Sequence, residues 1–367
     1  MAAICLDSTM TLANRTAVHD LGKEIFDIIS HQAGACDVRY WRFFLKRPLN
    51  FTRTALLSDI GKAFARLVFR DISVENAPLW PRGGSEFMIF LEPLFSLRTS
   101  LSRKDIVICH DIAPITHPEL YSVLTYASYD RVYKRVAQCA PAIVFVSEFT
   151  KREYLKRYPA DYRLTEVIPL YFRETLAPRT SSYSRSKPYI LMVGVFERRK
   201  NFVNALKAFR ESGLSDSGFD LVLAGPRGNL SAEYLPILDQ FGSVEHIGFV
   251  SDVKLSALYR GATALFFPSV VEGFGVPALE AAQLDVLPIV SLGTVLEEIA
   301  GPDSILTVPS SVEDMARALR EAAFMPSDQR VARLTKIREY QQRFTLTNFR
   351  SNWEQLIANE CKNRRRV

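Results

Sequence analysis

Short apolar runs alternate with amphipathic stretches along the second half of the chain. The runs have the length of strands buried on both faces, and the stretches between them have the apolar spacing of helices. Predicted strands are Tyr189–Val193, Asp220–Ala224, Val244–Ile247, Ala264–Phe267 and Val286–Val290. Predicted helices cover residues 201–211, 231–240, 252–260, 277–283, 312–323 and 328–343. This alternation predicts a parallel sheet in a doubly wound α/β domain.

The first half shows the same alternation less regularly. Apolar runs lie at residues 87–95, 105–109 and 142–146, and helical patterns cover residues 18–29 and 126–138. A segment rich in Ser, Arg and Pro at residues 176–187 has no apolar period and is typical of a linker. The 367 residues suffice for two domains that each bury a core. We therefore predict an N-terminal domain at residues 1–180 and a C-terminal domain at residues 188–345.

The last part of the chain predicts one more amphipathic helix, over Thr347–Asn359. Its apolar face needs a surface to cover, and the first domain is a candidate. The members of that face are Phe349, Trp353, Leu356 and Ile357.

Composition narrows the class of protein. Hydrophobic residues make up 48% of the chain and charged residues 23%, which excludes disorder on a large scale. The net charge of +6 suggests an anionic partner such as a nucleotide, a membrane surface or nucleic acid, although a mildly basic soluble enzyme has the same balance. The five cysteines form no CxxC pair, so we expect neither disulfides nor zinc, and a reducing cytoplasm. Neither a signal peptide nor a transmembrane helix is predicted.

A glycine loop in the second domain is the most informative segment. The apolar run Ala264–Phe267 leads into Gly273 and Gly275, and Pro277 then opens a helix. Ligands of open α/β sheets bind at the carboxyl ends of the strands, and the free N–H groups of a helix start suit a phosphate. The glycines allow the backbone to approach a ligand closely. The loop therefore predicts a phosphate site.

Two carboxylates flank this loop in an E-x7-E spacing. Glu272 lies before the helix and Glu280 about one turn inside it, so the two do not share a helix face. A carboxylate beside a phosphate site can accept hydrogen bonds from paired hydroxyls, such as those of a ribose, and Glu272 can do the same for a sugar beyond the phosphates. The alternative is that Glu280 only complements the helix dipole.

A basic segment, Glu197–Asn201, follows the first strand of the second domain and Gly194. Its Arg199 and Lys200 can neutralise a diphosphate and stabilise the charge that grows on a departing one. The alternative is a solvated run of charges.

With these residues in place, the chain resembles the retaining glycosyltransferases of family 4, the group 1 set. The resemblance rests on Ile190–Asn201, Gly248–Gly261 and Ala264–Ala281 with its E-x7-E. It implies the GT-B fold, with two Rossmann-like α/β domains facing across a cleft. The acceptor would bind the N-terminal domain and a nucleotide diphosphate-sugar the C-terminal one. It also implies that the last helix, over residues 347–361, crosses back to the N-terminal domain.

The resemblance also implies roles for single residues. Glu280 would hold the ribose, Glu272 the donor sugar, and Arg199 with Lys200 the diphosphate. His110, at the end of the strand Ile106–Asp111, would line the cleft near the reacting sugar, although a lone histidine is often structural. The backbone around Phe274, Gly275 and Val276 would meet sugar hydroxyls, and that around Ala278 and Leu279 the phosphate. Gly273 would belong to the same donor site, and the base would lie near Gly225, Pro226, Phe249 and Val250.

Three positions depart from the family pattern. Val195 stands directly after Gly194 where many members carry Arg, so the diphosphate charge rests on Arg199 and Lys200, with Arg198 as a substitute. The loop Thr11–Thr16 lacks the usual Gly-Gly, and Arg15 is a candidate to serve there instead. Asp285 occupies a turn where glycine is usual.

The resemblance implies transfer with net retention by front-side substitution, in which the leaving phosphate oxygen deprotonates the acceptor hydroxyl. No Asp-x-Asp motif occurs, so we expect no metal and no cofactor beyond the donor. The basic segment and the His110–Asp111 strand are most similar to bacterial mannosyltransferases of surface polysaccharide assembly. GDP-mannose is thus the expected donor, and a glycan or polyprenyl-linked glycan the expected acceptor.

Other functions and a membrane role stay open. Residues 39–70 are basic and aromatic, and form either an amphipathic element on an anionic membrane, at the inner face of the cytoplasmic membrane, or a core helix with snorkelling cations. The alternative enzyme is a nucleotide-sugar epimerase on the same fold. A catalytically silent carbohydrate- or nucleotide-binding module is the other alternative. Nucleic-acid binding through the basic surface lacks a recognised motif, so we expect none.

Overall fold

A computed structural model describes residues 4–12, 17–33, 36–48, 79–176, 183, 185–228, 238 and 242–364. The chain forms two compact units, of which unit 1 comprises Met1–Leu170 and Thr347–Val367, and unit 2 comprises Tyr171–Leu346. The division falls after Leu170, whereas the sequence places the end of the first domain at residue 180. The last helix groups with unit 1.

Unit 1 contains a seven-stranded sheet in the order β3-β2-β1-β4-β5-β6-β7. Its strands are parallel except β3, which pairs antiparallel with β2 as a hairpin. The strands are β1 Ile4–Asp7, β2 Cys36–Tyr40, β3 Phe43–Leu45, β4 Phe87–Phe90, β5 Ile106–Cys109, β6 Ala142–Phe145 and β7 Leu164–Val167. The described helices are α1 Ala17–Ala33, the single turn α2 Ala113–Thr116, α3 Val123–Cys139, α4 Glu148–Arg157 and, late in the chain, α11 Leu346–Arg364.

The inner strands of unit 1 read as continuous apolar runs because both of their faces are covered. Every residue of β1, β4, β5 and β6 is buried. Serine caps set the helix starts after them: Ser122 accepts a hydrogen bond from the amide of Thr125, and Ser147 from that of Thr150. The apolar runs at residues 87–95, 105–109 and 142–146 contain β4, β5 and β6, and each strand is shorter than its run.

The helix α11 packs within unit 1. Phe349, Trp353, Leu356 and Ile357, the face predicted from the sequence, are all buried. Arg350 of α11 donates from Nε to Oε2 of Glu24 on α1 at 2.7 Å. None of the described helices, α11 included, combines the length and the hydropathy needed to cross a bilayer.

The basic aromatic segment is different from what the sequence suggests. Arg39 and its neighbours form the β2–β3 hairpin, so neither an amphipathic surface element nor a helix is present at residues 39–45. The Arg39 side chain is 0% exposed because it neutralises buried Asp7, with Nε 2.6 Å from Oδ2, and donates to Thr99. Residues 49–78, the remainder of that prediction, lie outside the described part of the chain.

Unit 2 contains a six-stranded, fully parallel sheet in the order β10-β9-β8-β11-β12-β13. The strands are β8 Tyr189–Val193, β9 Asp220–Ala224, β10 Val244–Gly248, β11 Ala264–Phe267, β12 Leu287–Ser291 and β13 Ile305–Thr307. The described helices are α5 Phe202–Glu211, α6 Asp252–Gly261, α7 Val276–Gln283, α8 Val295–Ala300, α9 Val312–Ala323 and α10 Ser327–Gln341. The predicted helix at 231–240 lies almost entirely outside the described residues.

The strand order of unit 2 determines where a ligand can bind. The chain runs outward from β8 through β9 to β10, and then returns to place β11 on the other side of β8. The loops after β8 and β11 therefore leave neighbouring strands at the carboxyl edge of the sheet, and the chain continues from them in opposite directions across the sheet. This is the topological switch point where open α/β sheets bind ligands. Both predicted donor segments, the basic one and the glycine loop, leave the sheet at this point.

Candidate functional site

The loops after β8 and β11 are joined by direct backbone contact. The amide of Val270 donates to the carbonyl of Arg199 at 2.8 Å. Asn201 adds two further hydrogen bonds from Nδ2, to the carbonyls of Pro268 at 3.1 Å and Pro309 at 2.7 Å. Asn201 has a φ of 61°, in the left-handed region that asparagine tolerates better than most residues. This role of Asn201 was not predicted from the sequence, although an Asn directly before a helix is a recognisable cap signal.

These contacts place a buried carboxylate between two cations. Oε1 of Glu272 lies 2.6 Å from Nζ of Lys200, and Oε2 lies 2.7 Å from Nη1 of Arg199. The side chains of Glu272 and Lys200 are 9% and 8% exposed. Nζ of Lys200 also lies 4.3 Å from the centroid of the Phe267 ring, a cation–π contact. The three residues that the sequence assigns to the diphosphate and the donor sugar thus form one cluster.

The cluster has unusual proton affinities. Burial acts to raise the pKa of Glu272, but the adjacent Arg199 and Lys200 outweigh it and lower the pKa to about 2. Burial lowers the pKa of Lys200 to about 8, assisted by repulsion from Arg199 and opposed by Glu272. At neutral pH the cluster therefore contains an ionised acceptor and two cations, with Lys200 close to losing its proton.

Two glycines allow the backbone to close around Lys200. A Cβ on Gly194 would lie 3.2 Å from Cε of Lys200, and one on Gly225 would lie 1.9 Å from the carbonyl oxygen of Gly194. Gly225 has a φ of +147°, and its amide donates to the carbonyl of Gly248 at 2.8 Å. The structure therefore brings Gly225 and Pro226, two residues assigned to the base, next to the end of β8.

The other two residues assigned to the base follow β10. Phe249 is 58% exposed and Val250 is half-buried. An exposed aromatic ring at the carboxyl end of a strand is available for stacking on a base, although its role stays a prediction.

The start of α7 is built on glycine rather than on a side-chain cap. Gly275 has a φ of +96°, and a Cβ there would lie 2.2 Å from Cδ2 of Leu296. The helix begins at Val276, so Pro277 is its second residue and not its first, as the sequence had predicted. Gly273 lies in the loop before them, and Ala278 and Leu279 are buried. The roles of this turn in binding sugar hydroxyls and phosphate stay predictions.

The ring of Phe274 packs within unit 2. It is 5.5 Å from the ring of Phe344, with the two planes at 83°. Any contact of Phe274 with a donor would therefore have to involve its backbone, as the resemblance implies.

Glu280 has protein partners on both carboxylate oxygens. Nε of Arg173 lies 2.6 Å from Oε1, and the hydroxyl of Tyr259 donates to Oε2 at 3.1 Å. Burial raises the pKa of Glu280 in spite of the guanidinium of Arg173. Arg173 was not predicted from the sequence, because nothing in the local pattern near residue 173 points to a carboxylate so distant in the chain. The ribose role of Glu280 stays a prediction.

His110 follows β5 in unit 1, whereas the other predicted site residues belong to unit 2. Its Nε2 lies 2.6 Å from the carbonyl oxygen of Leu91, so Nε2 carries the proton and Nδ1 is left as an acceptor in the neutral ring. Burial lowers the pKa of His110, which favours the neutral ring. Asp111 accepts a hydrogen bond from the amide of Ala113 at 3.0 Å.

A second titratable group near His110 was not found from the sequence. Glu92 is buried after β4, and its Oε1 accepts from the hydroxyl of Tyr129 at 3.2 Å and the amide of Leu94 at 3.4 Å. Burial raises the pKa of Glu92 to about 8, and the charge of Asp111 adds to the shift. Glu92 lay inside the apolar run at residues 87–95, so it was counted with the strand.

Two of the departures from the family pattern, Val195 and Asp285, lie within the described residues. Asp285 has a φ of 65°, which explains why glycine suits this turn, and it pairs with Arg338. Arg15 lies outside the described residues. Within the described part of the chain, no three His, Cys, Asp or Glu side chains are grouped so that they could hold a metal ion. Independence from metal stays a prediction, because it concerns the reaction.

Comparisons with known proteins all find similarity to glycosyltransferases. Residues 177–341 match the family of glycosyl transferases group 1. The chain is 27% identical over 289 residues to O-antigen chain mannosyltransferase B of Escherichia coli, which covers 75% of this chain and 71% of that protein. It is also 24% identical over 237 residues to the serotype-specific mannosyltransferase WbdA of Escherichia coli, which covers 60% of this chain but only 29% of that protein.

A solved structure supports the predicted fold. The sucrose-phosphate synthase from Thermosynechococcus elongatus aligns with a TM-score of 0.71 and 17% identity over 98% of this chain and 99% of its own. The fold class predicted from the sequence, the α/β GT-B fold, is confirmed by this likeness together with the two parallel sheets.

Proposed function

We propose that this chain, whose residues 177–341 match the family of glycosyl transferases group 1, transfers a mannose from GDP-mannose to a glycan or a lipid-linked glycan in surface polysaccharide biosynthesis. The transfer proceeds with retention at the anomeric carbon and without a metal. The choice of mannose and of the pathway is supported by the relatives named O-antigen chain mannosyltransferase and serotype-specific mannosyltransferase. The five cysteines are all free thiols, which suits work in the cytoplasm.

The observation that carries the proposal is the Lys200–Glu272–Arg199 cluster at the switch point of unit 2. Two cations at the carboxyl edge of a parallel sheet, beside the glycine turn that opens α7, suit a diphosphate. Glu272, with its pKa lowered to about 2, stays ionised and can only accept hydrogen bonds. It would hold hydroxyls of the mannose, while Arg199 and Lys200 turn to the phosphates.

In the proposed reaction, the acceptor oxygen forms a bond to C1 on the face from which the phosphate oxygen departs. The acceptor proton passes to that phosphate oxygen, so the products are the mannosylated acceptor and GDP. Arg199 and Lys200 stabilise the charge that develops on GDP, because donors fixed in a buried site need no reorganisation. His110 is proposed to line the reacting sugar as a neutral ring, since its Nδ1 can accept a hydrogen bond from a hydroxyl.

The proposal is tested by thermal shift with a panel of nucleotide sugars, followed by turnover of the best binder in EDTA. We expect GDP-mannose to give the largest shift, and turnover to require both an acceptor glycan and an intact Glu272. Glu272→Gln should lower kcat by about 100-fold or more, since it removes a charged partner from the cluster. Glu339→Gln, an exposed position on α10, is the matched control and should leave turnover unchanged.

Three outcomes would contradict the proposal. Full activity of Glu272→Gln would remove the cluster from the reaction. Conversion of the nucleotide sugar without any acceptor would favour an epimerase. An inverted anomeric signal in the NMR spectrum of the product would exclude retention.

A further inference from the structure

The segment that enters unit 2 packs directly on the predicted ribose ligand. Arg173 reaches Oε1 of Glu280 with Nε at 2.6 Å and Oδ1 of Asp252 with Nη1 at 3.4 Å. Two residues later, Thr175 donates to Oδ2 of the same Asp252 at 3.2 Å. Ser256 on α6 then donates to the carbonyl of Leu176 at 2.8 Å. Side-chain contacts thus hold the start of unit 2 against α6 and α7. Of the three residues just described, Arg173 is the one that contacts Glu280.

The segment that leaves unit 2 contacts the same region. The amide of Phe172 donates to the carbonyl of Phe344 at 3.1 Å, so the incoming and outgoing chains are hydrogen-bonded to each other. The Phe344 ring packs edge to face on Phe274 in the glycine loop. Both stretches that connect unit 2 to the rest of the chain therefore contact residues assigned to the donor.

Both carboxylate oxygens of Glu280 are hydrogen-bonded to protein groups in this arrangement. Its side chain is 1% exposed, and its oxygens accept from Arg173 and Tyr259. Tyr259 is itself buried on α6, whereas the side chain of Arg173 is 21% exposed. Of the two partners, Arg173 is the one that can withdraw. Arg173 already contacts the carboxylate of Asp252. The guanidinium can therefore stay paired with Asp252 when it leaves Glu280.

We propose that Arg173 is a gate on the donor site: it occupies Glu280 in the empty enzyme and moves to Asp252 when ribose hydroxyls take its place. This inference rests on the proposed function, because it takes Glu280 as the ribose ligand. Because Arg173 is one residue from the Phe172–Phe344 hydrogen bond, its movement reports donor occupancy to the connecting segments. A gate of this kind weakens apparent donor affinity by the fraction of enzyme that is closed.

The gate predicts an unusual gain in affinity on removing a charged residue. In Arg173→Gln, GDP no longer competes with a guanidinium, so we expect it to bind about tenfold tighter by isothermal titration calorimetry, if nine in ten empty molecules are closed. The gain should be smaller for 2′-deoxyguanosine diphosphate, which lacks one of the competing hydroxyls. Thr175→Ala is the matched control: it removes a contact to Asp252 on the same segment but none to Glu280, and should leave GDP affinity within twofold.

A second measurement reads the connecting segment itself. Hydrogen exchange of the peptide that spans residues 171–176 should rise when GDP is added to the wild type, and should not respond in Arg173→Gln. If that variant does not fold, Arg173→Lys is used instead. Its ammonium lacks the planar fork of arginine, so we expect a smaller gain in GDP affinity in the same direction.

The outcomes separate the gate from the function. Equal or weaker GDP binding by the folded Arg173 variants, with normal binding and turnover by the wild type, would overturn the gate and leave the proposed function intact. Absence of GDP and GDP-mannose binding to the wild type would overturn both. An unchanged exchange rate at residues 171–176, with tight GDP binding, would show that Arg173 supports Glu280 rather than competes for it.

Discussion

Lys200 and Glu272 form a buried ion pair, 2.6 Å between Nζ and Oε1, although they follow two different strands of the unit 2 sheet. The pair exists because β8 and β11 are adjacent and because the carbonyl of Arg199 holds the loop after β11 at Val270. An ion pair of this kind contributes little net stability after desolvation. The proposed diphosphate site would account for its presence at the switch point.

The first prediction concerns the alkaline limb of activity. The free enzyme should lose kcat/KM as Lys200 loses its proton, with an apparent pKa of about 8. One pH unit above that value, kcat/KM should be about tenfold below its plateau. The alkaline fall of kcat should occur at a higher pH than that of kcat/KM, because a bound diphosphate favours the charged lysine. Initial rates from pH 6 to 10 at saturating acceptor measure both limbs.

Two variants identify the group responsible. Lys200→Arg keeps its charge across the range, so its alkaline limb should disappear below pH 9 even if its plateau is lower. Lys207→Arg, at an exposed position on α5, should keep the wild-type profile. An unaltered limb in Lys200→Arg would assign the titration to another group.

The second prediction concerns stability and Glu92. The unfolded chain ionises this carboxyl near pH 4.5, whereas the folded chain holds its proton to about pH 8. Between these values the folded state binds the extra proton, so its stability falls as the pH rises and levels off above about 8. Glu92→Gln removes this fall. It should therefore be more stable than the wild type at pH 8.5, by on the order of a few kcal/mol, and similar at pH 4.5.

Urea unfolding of both proteins at the two pH values measures this difference. Glutamine suits the comparison because its carbonyl oxygen can still accept from Leu94 and Tyr129. A stability gain that is the same at both pH values would show that ionisation of Glu92 is not its cause.

The third prediction concerns the contact between β8 and β9. In Gly225→Ala the new methyl group would meet the carbonyl oxygen of Gly194 at 1.9 Å, at a φ that L-residues rarely adopt. We expect a loss of about 2 kcal/mol or more in the free energy of unfolding. Gly242→Ala, where nothing lies within 4 Å of the new methyl group, should change it by less than about 0.5 kcal/mol. Equal unfolding midpoints for the two variants would show that the backbone can relax.

The fourth prediction uses two ion pairs of the β2 strand that differ in burial. Arg39→Met leaves the carboxylate of Asp7 buried without its cation, and should cost about 3 to 5 kcal/mol in the free energy of unfolding. Lys46→Met removes an exposed pair with Asp37, where the lysine side chain is 87% exposed, and should cost far less than Arg39→Met because solvent screens the pair. Adding Asp7→Asn to Arg39→Met should recover part of the loss. A double variant less stable than Arg39→Met would contradict this account.

The buried strands that position the candidate site in unit 2 could be predicted from the sequence. The bounds of β8, β9 and β11 agree with the structure because their residues are apolar on both faces and turn signals flank them. Glu272, Arg199 and Lys200 could be grouped because they follow strands of that kind, and the carboxyl edge of a parallel sheet collects such residues.

Elements stabilised by partners distant in the sequence could not be predicted. The strand β2 contains Arg39, whose charge suggests a surface until Asp7 of β1 is known to neutralise it. The helix α4 is mostly polar, so its apolar period is weak, although its cap at Ser147 could have been recognised. The role of Arg173 could not be predicted for the same reason, because its partner Glu280 is distant in the sequence and lies in another element.

The grouping of Thr347–Val367 with unit 1 has a consequence for synthesis. Unit 2 is one uninterrupted stretch of 171–346, so a ribosome completes it while unit 1 still lacks α11. At typical elongation speeds this interval lasts roughly 9 to 35 seconds. The residues of unit 1 that pack on Trp353 and Ile357 lack these partners throughout that time. The unit whose synthesis begins first is therefore the unit whose synthesis is completed last.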